Sequence, residues 1–378
     1  MTELTSARIL FLDNFKGPGI GGGQVQLLHL VRACVEAGMH VTVACQLNGP
    51  LHSRVRELGA VAEEIEFSPR DAVACVRRLR LLARDAVLVQ GTGWYTKVLS
   101  RRIVARSAAV LVNVVHVEPG ASLLDGGSRV GLAARRAVDL VTRKRVDAYV
   151  AVSNAVARGL AWHGIPDERI EVIANGVDVE ALAQAARELP PPLALPAGDG
   201  PLVVCVARLE PVKGVEFFVC AAAMLADSHP EARFAIVGVG SQESRLREIA
   251  VAAGLQSRLA FLGDVARVEP LLAAGSVVVM PSLSEALGLV ALEAGALSRP
   301  VVASSVGGLV EVIDDGETGL LVPAADPSAL AQAIGKLVAQ PELACRLGVA
   351  AHERVSGHYT LERMIDGYMN LYKRLLLA

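Results

Sequence analysis

The sequence predicts an α/β protein made of two domains, each a doubly wound parallel sheet with helices on both faces. The chain has 378 residues, which is enough for two domains of ordinary size. Hydrophobic residues make up 52% of it and aromatic residues only 4%, so Ala and Val supply most of the core, as suits buried parallel strands. Short apolar runs and helical stretches also alternate along the chain.

Charge and cysteine usage narrow the class of protein. The net charge of −2 argues against a general nucleic-acid binder. The six cysteines show no C-x-x-C spacing and lie mostly in apolar segments, so we expect small core residues in a reducing compartment. No apolar run reaches about 18 residues, and no basic-then-apolar signal opens the chain. The sequence therefore predicts a soluble, cytoplasmic protein.

The first predicted strand, residues 8–13, leads into a glycine-rich turn and a helix over residues 25–37. The turn contains Gly17, Gly19, Gly21, Gly22 and Gly23. A glycine-rich turn between strand and helix lets the backbone approach a phosphate closely. The acidic residue that a dinucleotide-binding fold needs about 20 residues further on is not evident, so such a fold is not indicated, and a loop without a ligand is the alternative.

Further strands are predicted at 40–45, 86–90 and 109–115, with helices at 51–58 and 71–83. The last of these strands ends at His116, followed by Glu118. The carboxyl end of a parallel strand faces the ligand crevice of a doubly wound sheet. His116 is therefore a candidate site residue, and a structural histidine bonded to the next loop is the alternative.

A basic stretch follows. Residues 70–145 carry 15 basic and 5 acidic residues, and a helix is predicted over 125–145. A solvated helix face is the commoner explanation of such a run, and contact with an anionic membrane through residues 129–145 is the other. A strand is predicted at 147–153 and a proline-rich linker at 188–200.

The second half repeats the strand-to-helix pattern. Strand 202–207 is followed by Arg208 and Lys213, and strand 233–239 leads into the turn of Gly238 and Gly240. One exposed Arg and one Lys would ordinarily be surface charge. Strand 300–304 and residues 319–323 complete the pattern, and a final amphipathic helix is predicted over 361–376.

The most informative stretch joins the apolar strand 275–280 to a helix predicted over 287–297. Glu285 lies in the turn, and Glu293 lies two helical turns further on, roughly 12 Å along the axis. Such a separation excludes a close acid/base pair but suits opposite ends of a polyhydroxyl ligand. The helix start at Gly288 and Leu289 offers free N–H groups to an anion. A nucleotide sugar has this layout of ribose, diphosphate and sugar.

Glu285 and Glu293 form an E-x7-E pattern that resembles the donor-site signature of the retaining GT-B glycosyltransferases, in particular glycosyltransferase family 4. The resemblance implies two Rossmann-like domains facing across a cleft. It gives an N-terminal acceptor domain at 1–187, a linker at 188–200 and a donor domain at 201–357. A C-terminal helix at 358–378 crosses back to the first domain.

The resemblance also implies roles for the candidate residues. Arg208 and Lys213 would clamp the donor diphosphate, Glu285 would bind the donor sugar, and Glu293 the ribose diol. The backbone at Gly22, Gly23, Gly238, Gly240, Gly288 and Leu289 would line the donor site. His116 would lie near the 6-hydroxyl of the donor sugar, and Glu118 would contact the acceptor. Some family members dock on anionic lipid, as the basic segment 129–145 could.

The implied reaction moves a sugar from a UDP- or GDP-linked donor to an acceptor hydroxyl, with retention at the anomeric carbon. The acceptor would be a glycolipid, glycan or small molecule, in the synthesis of cell-surface polysaccharide, glycolipid or glycosylated metabolite. No cofactor is implied, and the D-x-D motif of metal-dependent transferases does not occur. Three alternatives stay open: a sugar-nucleotide epimerase of this fold, a phosphorylase with lysine-bound pyridoxal phosphate, and a non-catalytic nucleotide-sugar-binding protein.

Overall fold

The computed structural model describes residues 5–16, 20–68, 72–117, 141–188 and 195–377, together with 131, 133, 137 and 138. The chain divides into two compact units. Of the described residues, the first unit holds those up to Asn175 and those from Leu361 onwards, and the second holds Gly176–Thr360.

The first unit is built on a seven-stranded sheet of order β3-β2-β1-β4-β5-β6-β7, in which every pair is parallel. Its strands are β1 (Arg8–Asp13), β2 (His40–Gln46), β3 (Val61–Ile65), β4 (Leu88–Gly91), β5 (Val110–Val115), β6 (Ala148–Ala151) and β7 (Ile170–Val172). Its α-helices are Gly22–Glu36, Leu51–Glu57, Ala72–Leu82, Trp94–Ile103, Asn154–Trp162 and Leu361–Leu377.

The second unit has a six-stranded parallel sheet of order β10-β9-β8-β11-β12-β13. Its strands are β8 (Leu202–Val206), β9 (Arg233–Val237), β10 (Leu259–Phe261), β11 (Val277–Met280), β12 (Val301–Ser304) and β13 (Gly319–Val322). Its α-helices are Val179–Glu188, Val215–Ser228, Glu243–Ala252, Glu269–Ala274, Leu289–Ala296, Leu309–Val312, Pro327–Ala339 and Pro341–His358.

The central strands of both sheets are buried on both faces. In β11 and β12 all four residues are buried, and β1 is buried from Ile9 to Asp13. Continuous burial explains why these strands are largely apolar along their length rather than alternating between apolar and polar residues. The strand order reverses between β1 and β4 in the first sheet and between β8 and β11 in the second. In doubly wound sheets, the loops at the carboxyl ends of the strands at such a point form the usual ligand crevice.

The prediction of two doubly wound parallel-sheet domains is confirmed by the two sheets. The edge strand β3 had no prediction, because its segment Val-Ala-Glu-Glu-Ile carries two charges and only its last residue is buried. The predicted first domain runs to residue 187, whereas the compact units divide after Asn175. The helix Val179–Glu188 explains the difference, since it packs against the helices Glu269–Ala274 and Leu289–Ala296 of the second unit.

No helix in the described ranges is both long and apolar enough to cross a membrane. The predicted linker 188–200 lies partly outside the described residues. So does the predicted helix 125–145, of which Arg143–Arg145 form a short 3₁₀ helix.

Candidate functional site

The predicted donor residues of the second unit lie on loops at the carboxyl ends of neighbouring strands. Arg208 and Lys213 follow β8, Gly238 and Gly240 follow β9, and Glu285 follows β11. Because β8 lies between β9 and β11 in the sheet, these three loops are adjacent. The backbone joins two of them directly, since the amide of Leu283 donates to the carbonyl of Val212 at 2.8 Å.

Close backbone approach explains two of the glycines. Gly238 has φ 127°, and a Cβ there would lie 1.9 Å from the carbonyl oxygen of Ala207. Gly288 has φ 100° immediately before the helix Leu289–Ala296. Residues with a Cβ rarely adopt such angles, so both positions require glycine. They let the loops after β9 and β11 turn sharply next to the loop after β8.

Lys213 and Glu285 form an ion pair, although 72 residues separate them in the sequence. Lys213 Nζ donates to Glu285 Oε2 at 2.6 Å, and the side chains are only 19% and 13% exposed. The hydroxyl of the buried Ser282 donates to the same oxygen at 3.1 Å. Two donors on one oxygen hold the Glu285 carboxylate in a single orientation, with Oε1 available to another donor.

Arg208 differs from Lys213 in its surroundings. It is exposed, and its side chain makes no hydrogen bond or ion pair with any residue that the structure describes. The neighbouring Glu210 instead accepts from the amide of Ser241 at 3.2 Å and from its hydroxyl at 2.6 Å. This contact ties the Gly238–Gly240 turn to the loop that carries Arg208, so that a cation is presented at the junction of the two loops.

Glu293 lies within the helix Leu289–Ala296, where it is partly buried. Desolvation and, to a smaller extent, the negative charge of Glu269 raise the pKa of its carboxyl group to about 7. The first backbone hydrogen bonds at the start of this helix run from Ala291 and Leu292 to the carbonyl of Gly288. The preceding amides have no partner within the helix and favour an anion.

The first unit places a buried carboxylate at the carboxyl end of β1. Asp13 is 2% exposed and accepts three hydrogen bonds. The donors are the amide of Phe15 at 2.9 Å, Gln24 Nε2 at 3.0 Å and the Thr92 hydroxyl at 2.7 Å. Asp13 therefore joins the end of β1 to the start of the following helix and to the end of β4.

His116 follows β5, and its ring lies against the start of the helix Gly22–Glu36. A Cβ on Gly23 would be 3.4 Å from His116 Cδ2. Desolvation lowers the pKa of His116 to about 4, so the ring is neutral at pH 7. Its Nδ1 is buried and has no hydrogen-bond partner among the residues that the structure describes. The charge of Asp13 acts in the opposite direction on this pKa, and that of Lys97 in the same direction, with smaller effects.

Comparison with known families accounts for both units. The family described as "Glycosyl transferases group 1" matches residues 200–340, and "Glycosyltransferase Family 4" matches residues 20–181. A D-inositol 3-phosphate glycosyltransferase of Acidothermus cellulolyticus is 30% identical, with 94% of this chain and 86% of that protein covered. The chain belongs to glycosyltransferase family 4. An alpha-maltose-1-phosphate synthase of Mycolicibacterium smegmatis is also 30% identical, over 90% of this chain and 95% of that protein.

Solved structures show that this glycosyltransferase has the GT-B fold. A sucrose-phosphate synthase from Thermosynechococcus elongatus superposes with a TM-score of 0.84 at 23% identity, covering 98% of this chain and 99% of that one. HepE of Anabaena, solved in complex with UDP and glucose, superposes with a TM-score of 0.84 at 20% identity, covering 98% and 100% of the chains.

Several predicted positions of the glycosyltransferase change in the structure. Gly22 and Gly23 are the first two residues of the helix Gly22–Glu36, which begins three residues before the predicted start. They therefore contribute backbone N–H groups without a partner inside the helix, and they do not belong to a loop. Gly17, Gly19 and Glu118 lie outside the described residues. In the basic segment 129–145, the Arg143 side chain donates to the carbonyl of Gly164.

Two polar residues of these sites had no role in the sequence interpretation. Asp13 ends an apolar strand and Ser282 precedes Glu285 by three residues. Their burial and their hydrogen bonds identify them in the structure. In the sequence, the one indication was the single acidic residue at the end of an otherwise apolar strand. In the described part of the chain, no three His, Cys, Asp or Glu side chains cluster as a metal site would require.

Proposed function

We propose that this glycosyltransferase transfers a sugar, with retention at the anomeric carbon, from a nucleoside diphosphate sugar to an acceptor hydroxyl. The observation that carries the proposal is the pairing of Lys213 with Glu285 at 2.6 Å beside the helix start at Gly288. A cation, a carboxylate and free helix amides lie on adjacent loops. Together they match a diphosphate joined to a polyhydroxyl sugar.

We propose UDP as the carrier of the sugar. HepE of Anabaena, whose fold is similar, has been solved with UDP-glucose and with UDP alone. The acceptor hydroxyl would belong to a glycolipid, glycan or small molecule. Relatives differ in this respect, since their names include an inositol phosphate glycosyltransferase and a lipopolysaccharide core mannosyltransferase.

Each residue has a role that follows from its chemistry. Lys213 and Arg208 stabilise negative charge on the leaving diphosphate, and the amides at the Gly288 helix start add partial positive charge. This cationic set would serve the leaving group without a metal. Glu285, held by Lys213 and Ser282, accepts from donor-sugar hydroxyls. Glu293 accepts from the ribose diol, and the neutral His116 donates from its N–H to the 6-hydroxyl of the sugar.

The stereochemistry is proposed to arise from attack on the same face as the departing diphosphate. No residue at the described site stands out as a covalent nucleophile, which fits attack on the same face. The departing diphosphate can instead accept the proton of the acceptor hydroxyl as the new bond forms. The atoms balance, since the sugar gains the acceptor oxygen and the nucleotide leaves with the proton.

A nucleotide panel followed by product analysis tests the proposal. Thermal stabilisation by UDP and by UDP-sugars is expected to exceed that by GDP and ADP. Incubation with the matching donor and an acceptor should give a product with the anomeric configuration of the donor, as measured by NMR coupling constants. An inverted product would refute the retaining mechanism. Stabilisation by no nucleoside diphosphate, with the protein shown to be folded, would refute the donor assignment.

A further inference from the structure

A small cavity lies behind His116 in the first unit. It is lined by Gln26, Gln90, Thr92, His116 and Tyr368, together with two leucines of the helix Gly22–Glu36. Its volume of about 10 Å³ is close to the 10–15 Å³ that one water molecule needs. A water also needs two to four polar partners, and this lining supplies imidazole, phenol, amide and hydroxyl groups. Cavities that lack such groups stay dry.

The ring nitrogen Nδ1 of His116 can form a hydrogen bond with a molecule in this cavity. Nδ1 is buried and accepts or donates no hydrogen bond within the described part of the chain. Because desolvation lowers the pKa of the ring to about 4, His116 carries one proton at neutral pH. That proton can sit on Nδ1 or on Nε2, and the hydrogen bond made by one nitrogen decides which tautomer is populated.

The C-terminal helix Leu361–Leu377 contributes Tyr368 to the lining of this cavity and contacts Gln90, another lining residue. The Tyr372 hydroxyl donates to Gln90 Oε1 at 2.6 Å, which leaves the Gln90 amide nitrogen as the donor of that side chain. Tyr368 is 4% exposed, and its ring centroid lies 6.1 Å from that of Tyr372. Its hydroxyl has no hydrogen-bond partner among the residues that the structure describes. Desolvation raises the pKa of Tyr368, so the phenol keeps its proton.

We propose that the cavity binds one water molecule, held by the Tyr368 hydroxyl, that donates a hydrogen bond to His116 Nδ1. The ring proton then resides on Nε2, and Tyr368 is a positioning residue for His116. The catalytic consequence rests on the proposed function, in which Nε2–H donates to the transferring sugar. The final helix thereby contributes to a site whose other residues come from the first third of the chain.

The tautomer of His116 tests the proposal through ¹⁵N NMR of the intact protein. Wild type is expected to show the Nε2–H tautomer. Tyr368→Phe removes the hydroxyl and keeps the ring, so the Nδ1–H tautomer should increase and kcat should fall on the order of tenfold, as supporting hydrogen bonds often cost. The Kd for UDP should not change. The matched control is Tyr359→Phe, which removes a hydroxyl bonded to the Glu311 carbonyl in the second unit.

A high-resolution crystal structure of wild type provides the second measurement. An ordered water within about 2.6–3.2 Å of both His116 Nδ1 and the Tyr368 hydroxyl is expected. A dry cavity, or an unchanged tautomer in Tyr368→Phe, would overturn the proposal. Should Tyr368→Phe not fold, the wild-type water and tautomer decide alone. Absence of sugar transfer alongside the expected water and tautomer would count against the proposed function and not against the water site.

Discussion

Replacing Glu285 by Gln removes the carboxylate that Lys213 contacts, and its effects separate binding from turnover. At 2.6 Å and an effective dielectric near 20, the Coulomb attraction between two unit charges is about 6 kcal/mol before desolvation. Desolvation and side-chain ordering offset most of this attraction. We expect a net coupling of about 1–3 kcal/mol in a double-mutant cycle of Lys213 and Glu285, measured as the free energy of unfolding.

Glu285 and the donor diphosphate compete for the ammonium group of Lys213. The ammonium group of Lys213 is held by Glu285. Glu285→Gln should therefore leave the Kd for UDP unchanged or lower it, while kcat falls because a sugar contact is lost. Lys213→Ala should weaken UDP binding about tenfold or more, since a hydrogen bond to a charged group contributes about 1.5–3 kcal/mol. Its kcat should fall about 10²–10³-fold, because charge on the diphosphate grows as the bond breaks.

Isothermal titration with UDP and initial rates at saturating acceptor measure these effects. The matched control is Glu243→Gln, which breaks the more exposed pair of Glu243 with Arg247, four residues apart on one helix. That change should cost no more than about 0.5 kcal/mol and leave kcat unaltered. If Glu285→Gln weakens UDP binding as much as Lys213→Ala does, the two residues do not compete as described, and Glu285 contacts the nucleotide itself.

The other predictions concern Glu293, His116, Gly238 and the basic segment 129–145. Glu293→Gln should chiefly raise the donor KM and weaken UDP binding; an effect on kcat alone would contradict a ribose contact. Because the pKa of Glu293 is raised to about 7, wild-type UDP affinity should fall as the pH drops through 7. Burial of this carboxylate should also lower the free energy of unfolding as the pH rises from about 4.5 to 7, and Glu293→Gln should abolish both trends. His116→Ala should slow turnover with UDP affinity nearly unchanged, and an equal loss of affinity would indicate a structural role. Gly238→Ala should destabilise the protein by more than about 3 kcal/mol, because its Cβ would meet the Ala207 carbonyl at 1.9 Å; a wild-type melting temperature would contradict this. If residues 129–145 contact membrane, liposome binding should rise with anionic lipid and fall with salt, and no binding at low ionic strength would exclude the contact.

The sequence alone determined the fold class, because that property depends on local patterns. The short β-branched run Val277–Met280 is a strand that is buried along its whole length, and Leu and Ala residues indicate the helix that follows it. Glycine marked the sharp turn at Gly288 for an equally local reason. The edge strand β3 escaped prediction, since a half-exposed strand with two glutamates has no such pattern.

The sequence also placed Lys213 and Glu285 on separate turns, each as a candidate for a different part of one ligand. Only the tertiary structure decided that the two side chains meet each other, because the contact spans 72 residues and depends on β8 lying beside β11. The same holds for Asp13. A single acidic residue at a strand end has no partner in the sequence, and its three donors converge on it through the order of β1 and β4.

The cavity lined by His116 and Tyr368 shows most clearly what the sequence alone does not predict. Tyr368 and Tyr372 belong to a helix about 250 residues further along the chain, and their spacing of four predicts only that they share a helix face. Packing of the helix Leu361–Leu377 within the first unit brings Tyr372 to Gln90 and brings Tyr368 to the cavity that His116 also lines. Local sequence determines which elements form, whereas the desolvation, hydrogen bonding and proton position at a site depend on which elements pack together.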